Sequence, residues 1–251
     1  MTITDLTIPH HGRTVHATLY LPEADGPVPA ALMSHGYNGC GTDFTGGARF
    51  LAENGAAALT YTFCGGSTRD RSGFPTTDMT LYTERDDALA LLDYLRAHPA
   101  IDPACVTLFG GSMGGIVSVL ASQERPEDIA GLTLLFPALC IPDNWNKRFP
   151  REAEIPESID FWGMTLGRGF FLAMRNMDVF GRMPEFAKPV RILQGDQDPI
   201  VRLEDSERAV SLYPNASLRV FPGEGHGFTP EADAEVFREL LNAMMAQASS
   251  K

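Results

Sequence analysis

Short runs of consecutive apolar residues alternate with stretches of helical periodicity along most of this 251-residue chain. Residues 28–33, 56–62, 106–109, 131–136 and 190–193 are mainly apolar. A strand buried on both faces of a parallel sheet reads this way, because neither side of its pleat meets water. Residues 217–221 read as a last strand, and residues 2–8 and 13–21 as two more, joined through Pro9-His10-His11-Gly12 as a hairpin. Between them, 44–54, 83–98, 116–121, 203–213 and 231–248 are helix-like, with Gly55 stopping the first and Pro99 closing the second. Glu84, Asp86 and Asp87 fall in the early turns of the second helix, where they suit its dipole and predict a solvated start. Regular alternation of this kind predicts an α/β fold: a mostly parallel, eight-stranded sheet flanked by helices, in one domain over 1–251.

The alternation breaks once. Residues 137–187, after the sixth strand, are rich in proline and carry both tryptophans, Trp145 and Trp162, with Phe149, Phe161, Phe170 and Phe171. An apolar insertion between core strands predicts a small helical cap, or lid, whose aromatic groups face a site below. Met174 and Met177 stand at helical spacing and read as core.

Polar, glycine-rich segments follow four of the predicted strands. Gly110-Gly111-Ser112-Met113-Gly114 matches G-x-S-x-G between a strand and a helix, the setting of a nucleophile elbow. Ser34-His35-Gly36-Tyr37 closes an earlier strand, and in this setting Tyr37 and Met113 would offer backbone N–H groups to an oxyanion. His35 is read as packing under that loop in preference to acting as a base. Gln194-Gly195-Asp196-Gln197-Asp198 supplies a carboxylate; Asp198 is preferred as the acid and Asp196 as a turn former. Gly223-Glu224-Gly225-His226 supplies a histidine after the last strand. All four loops lie at the carboxyl edge of one sheet, where open α/β sheets place their sites. The chain order Ser112, Asp198, His226 is that of an α/β-hydrolase triad.

Composition narrows the chemistry further. A net charge of −12 and a pI of about 4.9 argue against nucleic acid or an anionic membrane as partner. The charge slightly favours neutral or cationic substrates. The start, Met1-Thr2-Ile3-Thr4, has no basic or apolar leader, no run approaches a membrane span, and the four cysteines are scattered, so a cytoplasmic location with free thiols is expected. No metal-binding cluster stands out among the six histidines, and no metal or cofactor is expected.

The chain resembles the compact bacterial α/β-hydrolases that include cinnamoyl (feruloyl) esterases. The likeness runs over His35-Gly36-Tyr37, Gly110 to Gly115, the cap around Ile155-Pro156 and Leu166 to Phe171, Gly195 to Asp198, and Gly225 to Phe228. It implies a serine carboxylesterase acting on hydroxycinnamate or other small aromatic or short-chain acyl esters through an acyl-enzyme. The family often has glutamine where Met113 stands. Its cap also offers a tyrosine and an aspartate to a phenolic hydroxyl. Here Gly169-Phe170-Phe171 lacks the tyrosine hydroxyl, while Asp143 lies near the place of the aspartate. Asp143, Trp145, Trp162 and Phe171 are therefore the candidate substrate-binding residues. The expected partner is a small ester, and a homodimer is a candidate assembly. Two other readings are a serine peptidase of acylaminoacyl or dipeptidyl type and a non-catalytic hydrolase-fold binding protein.

Overall fold

Strand β3 (Val28–Ser34) is buried along its whole length. Ala30 and Leu32 point into one apolar cluster and Ala31 and Met33 into another, so the period-two alternation divides the core into two layers. The computed structural model describes residues 1–249. The other strands of the main sheet are β1 (Thr2–His10), β2 (Arg13–Leu21), β4 (Ala57–Thr62), β5 (Ile101–Gly111), β6 (Gly131–Leu135), β9 (Val190–Gly195) and β10 (Ala216–Phe221). They form eight strands in the order β1-β2-β4-β3-β5-β6-β9-β10. Pairing is antiparallel for β1–β2 and β2–β4 and parallel across the rest.

Helices cover both faces. α2 (Leu81–Ala97), α3 (Met113–Glu124) and α6 (Leu203–Leu212) contribute Leu91, Ile116 and Ala209 to the first layer. α1 (Thr45–Glu53) and α7 (Pro230–Ser249) contribute Leu51 and Leu240 to the second. The expected α/β architecture is therefore present, with element ends shifted by a few residues.

Register brings the loops together. Ser34 pairs with Gly110, Gly111 with Leu135, Leu135 with Leu193, and Gly195 with Phe221. The chain leaves the sheet at nearly the same level on five neighbouring strands, so short loops suffice to bring distant residues into contact.

Two local expectations are corrected. The segment between β6 and β9 is not purely helical. It holds α4 (Ile141–Arg148), a hairpin of β7 (Ser158–Phe161) and β8 (Met164–Gly167), and α5 (Arg168–Ala173). Trp162 and Gly163, with φ of 43° and 80°, make the two-residue turn that suits a twisted hairpin. The start of α2 is also not solvated at Glu84 and Asp87, both of which are fully buried. Asp87 meets Arg13 at 3.0 Å and accepts from the Cys64 amide at 2.8 Å. Burial, reinforced by Asp87, pushes the Glu84 carboxyl well above the usual range. The dipole argument addressed the helix ends alone, and tertiary packing of the loop over this first turn overrode it.

Candidate active site

Ser112 sits between β5 and α3 with φ 52° and ψ −117°, a conformation that L-residues avoid. Its neighbours make the turn sterically feasible. A Cβ on Gly110 would overlap the Gly114 carbonyl, and one on Gly114 would overlap the Ser34 carbonyl. The backbone is thus squeezed between α3 and β3, and the serine side chain is turned out of the sheet. The Ser112 amide donates to Leu135 O at 2.9 Å, tying the turn to the next strand.

Ser112 Oγ lies 2.9 Å from His226 Nε2, and His226 Nδ1 lies 2.8 Å from Asp198 Oδ2. The carboxylate is fixed from every side. Its Oδ1 accepts from the Ile200 and Val201 amides at 2.8 and 2.9 Å, and its Oδ2 also accepts from Gln194 Nε2 at 3.1 Å. The Asp198 side chain is 1% exposed against 15% for His226, so the acid is sealed and the imidazole reaches the solvent side. With Asp198 as acceptor, the imidazole carries its proton on Nδ1 and presents a lone pair on Nε2 to the serine hydroxyl. The ring of Phe136, 4.6 Å away, packs against the imidazole. Gln194 and Ser206 were not singled out in the sequence. Buried Ser206 donates to Gln194 Oε1 at 3.0 Å, and this orients the amide that holds Asp198. Gln194, a polar residue closing the run 190–193, carries a faint signal; Ser206, between Asp205 and Glu207, carries none.

His35 is wholly buried. Its Nδ1 donates to Gly36 O at 2.7 Å and its Nε2 accepts from the Phe63 amide at 3.1 Å. Burial pushes its pKa down to about 4, so the ring is neutral and both nitrogens are occupied. It is a strut under the loop that carries Tyr37. A Cβ on Gly36 would stand 3.2 Å from Ser112 Cβ, so that loop runs directly against the serine. Met113 opens α3, where helix geometry leaves its N–H without an intrahelical acceptor. Asp196 stands in the turn after β9, and its side chain accepts from the Gly223 amide at 2.7 Å, tying that turn to the segment that leads to His226.

A cavity of about 340 Å³ opens above Ser112, and Tyr37, Met113, Trp145 and Trp162 lie on its wall. Asp143 and Phe171 do not. Ile141, Asn144, Trp145 and Arg148 form the cavity face of α4, and Asp143 is exposed outside that face. On α5 it is Phe170 that reaches the cavity; Phe171 packs behind, 4.8 Å from the Trp145 ring. One residue step turns a helix by about 100°, which is enough to remove both side chains from the wall. The hairpin is clasped to the loop after β3: Tyr37 Oη donates to Phe161 O at 2.8 Å and Asn38 Nδ2 to Trp162 O at 3.4 Å. Among the described residues no cluster of His, Cys, Asp or Glu could hold a metal, and no helix is long and apolar enough to cross a membrane.

Residues 31–240 match the model of the alpha/beta hydrolase family. The chain belongs to that family. Among solved structures of this fold, Est1E from Butyrivibrio proteoclasticus with ferulic acid bound is 25% identical, with a TM-score of 0.87 over 96% of this chain and 99% of that one. Acetyl xylan esterase 1 from a Thermoanaerobacterium species is 17% identical, with a TM-score of 0.71 over 96% of this chain and 83% of that one, and shares the fold. Dipeptidyl aminopeptidase BIII from Pseudoxanthomonas mexicana is 25% identical over 240 residues, which is 90% of this chain and 34% of that protein. The chain spans about a third to a half of the length of the curated relatives it matches. The likeness to esterase structures, by contrast, runs nearly end to end.

Proposed function

We propose that this alpha/beta hydrolase is a serine carboxylesterase. The observation that carries the reading is the unbroken hydrogen-bond chain from Ser112 through His226 to Asp198. In the first half-reaction Ser112 Oγ attacks the ester carbonyl while its proton passes to His226 Nε2. Asp198, held by two amides, stabilises the imidazolium that forms. The Tyr37 and Met113 amides receive the charge on the carbonyl oxygen, a contribution of about 3 kcal/mol for each such donor. Collapse of the tetrahedral species breaks the C–O bond, and His226 returns its proton to the leaving alkoxide. Water then repeats the sequence on the acyl-enzyme, releasing the acid and restoring the serine.

The wall formed by Trp145, Phe161, Trp162 and Phe170 suits a flat aromatic or short aliphatic acyl group. Hydroxycinnamate esters are one such class, in line with the ferulic acid bound to Est1E. Ser112→Ala should lower p-nitrophenyl butyrate turnover by at least about 10⁴-fold with an unchanged circular-dichroism spectrum. Turnover retained in that variant refutes the assignment. Methyl ferulate turned over no better than a plain butyrate ester would remove the cinnamoyl class.

The match to a dipeptidyl aminopeptidase over 90% of this chain supports a second reading, a serine peptidase using the same three residues. Aminoacyl-nitroanilides separate the two, since an esterase of this design leaves them intact. Labelling of Ser112 by a fluorophosphonate separates both from a binding protein.

A further inference from the structure

Arg148 is the one charged side chain on the cavity wall among the described residues, and no carboxylate shares that wall with it. In a chain with 32 acidic and 20 basic residues, most arginines are ion-paired; Arg125, for example, meets both Asp93 and Asp128. Arg148 meets no acid among the described residues. Its guanidinium lies instead over aromatic rings, 5.1 Å from the Trp145 centroid and 5.7 Å from that of Phe149. Those two rings are themselves stacked, 6.0 Å apart with planes inclined by 6°. Cation–π contact of this kind orients the guanidinium without neutralising it, so its N–H groups remain available. Asn144, one turn earlier on the same face, adds an amide. Ile141 and Arg148 are separated by about 10 Å along the axis of α4, room for an aromatic ring and its substituent.

We propose that the cavity selects esters whose aromatic portion ends in a carboxylate, which Arg148 recognises; this rests on the esterase reading of Ser112. The chain as a whole carries a net charge of −12 and would repel such a group, but at physiological salt that field fades over about 8 Å and the nearest cation governs the cavity. The position expected to present an acceptor, Asp143, is off the wall, and donors stand in its place. Arg148 is exposed, so solvent moderates the attraction, and an effect of about five- to ten-fold on affinity is expected.

The test uses the whole chain and two matched ester pairs. Monomethyl against dimethyl terephthalate puts the carboxylate on the acyl side. 4-Acetoxybenzoate against its methyl ester puts it on the alcohol side. Because the substituent also alters intrinsic reactivity, the readout is the charged-to-neutral ratio of kcat/KM, compared between the natural chain and Arg148→Gln. In at least one pair that ratio should fall about five-fold or more, through KM, with Arg148→Lys intermediate and added salt shrinking the difference. A ratio untouched by Arg148→Gln in both pairs overturns the proposal. If the natural chain cleaves no ester, the esterase reading falls first. Arg148 is then judged by quenching of the fluorescence of Trp145 and Trp162, both on the cavity wall. Tighter binding of 2-naphthoate than of 2-naphthamide, lost in Arg148→Gln, upholds anion recognition; equal affinities, or a preference that survives the substitution, overturn it.

Discussion

Two loops at the carboxyl edge of the sheet each centre on a histidine, and they use it in opposite ways. The His35 imidazole is closed in, with a carbonyl on one nitrogen and an amide on the other. The His226 imidazole has a sealed carboxylate behind it and a serine hydroxyl in front, with one edge towards solvent. A base must exchange protons with something that enters and leaves, and a strut must not. The partner on Nε2 separates the base proposed above from the strut: a backbone N–H cannot give up its proton to the ring, whereas a serine hydroxyl can. The contrast predicts that the two residues fail differently when altered.

The largest effect belongs to His226. His226→Ala should lower kcat for a p-nitrophenyl ester by at least about 10⁴-fold while the urea midpoint barely moves. A variant that unfolds more readily but keeps its turnover would reverse the roles assigned to the two histidines.

His35 comes next, and its signature is stability. Its folded pKa, about 4, lies below the 6.5 of an exposed imidazole, so the folded state favours the neutral ring. The contribution is therefore complete above pH 6.5 and is lost as pH falls towards 4, with a ceiling of roughly 3 kcal/mol. Urea unfolding at pH 7 and pH 4.5 should show a drop larger by roughly 2–3 kcal/mol in the natural chain than in His35→Gln. Parallel pH dependence in the two proteins would show that the ring is not buried and neutral.

The smallest effect concerns the clasp between the His35 loop and the inserted hairpin. Tyr37→Phe removes the donor to Phe161 O and should reduce stability by about 1 kcal/mol, with faster hydrogen exchange in residues 158–167. Exchange in that hairpin identical to the natural chain's would mean that the hydroxyl does not hold it.

Much of this was legible in the chain itself. Apolar runs of strand length and helices between them dictate a parallel sheet. A parallel sheet sends every strand-ending loop to one edge, so Ser112, Asp198 and His226 had to emerge on the same side. The less legible features share a cause. Periodicity states which residues of a helix lie on one face, but not where that face points. The rotation of α4 and α5 against the sheet exchanged Asp143 for Asn144 and Arg148 and set Phe170 in place of Phe171 on the cavity wall. Likewise the acidic start of α2 reads as solvated in sequence, whereas in the fold Glu84 and Asp87 are fully buried. Hydrophobic patterning is a property of each element about its own axis, and the residues alone determined that. The environment of a side chain is set by elements far away in the chain, and only their packing together decided which groups meet the cavity.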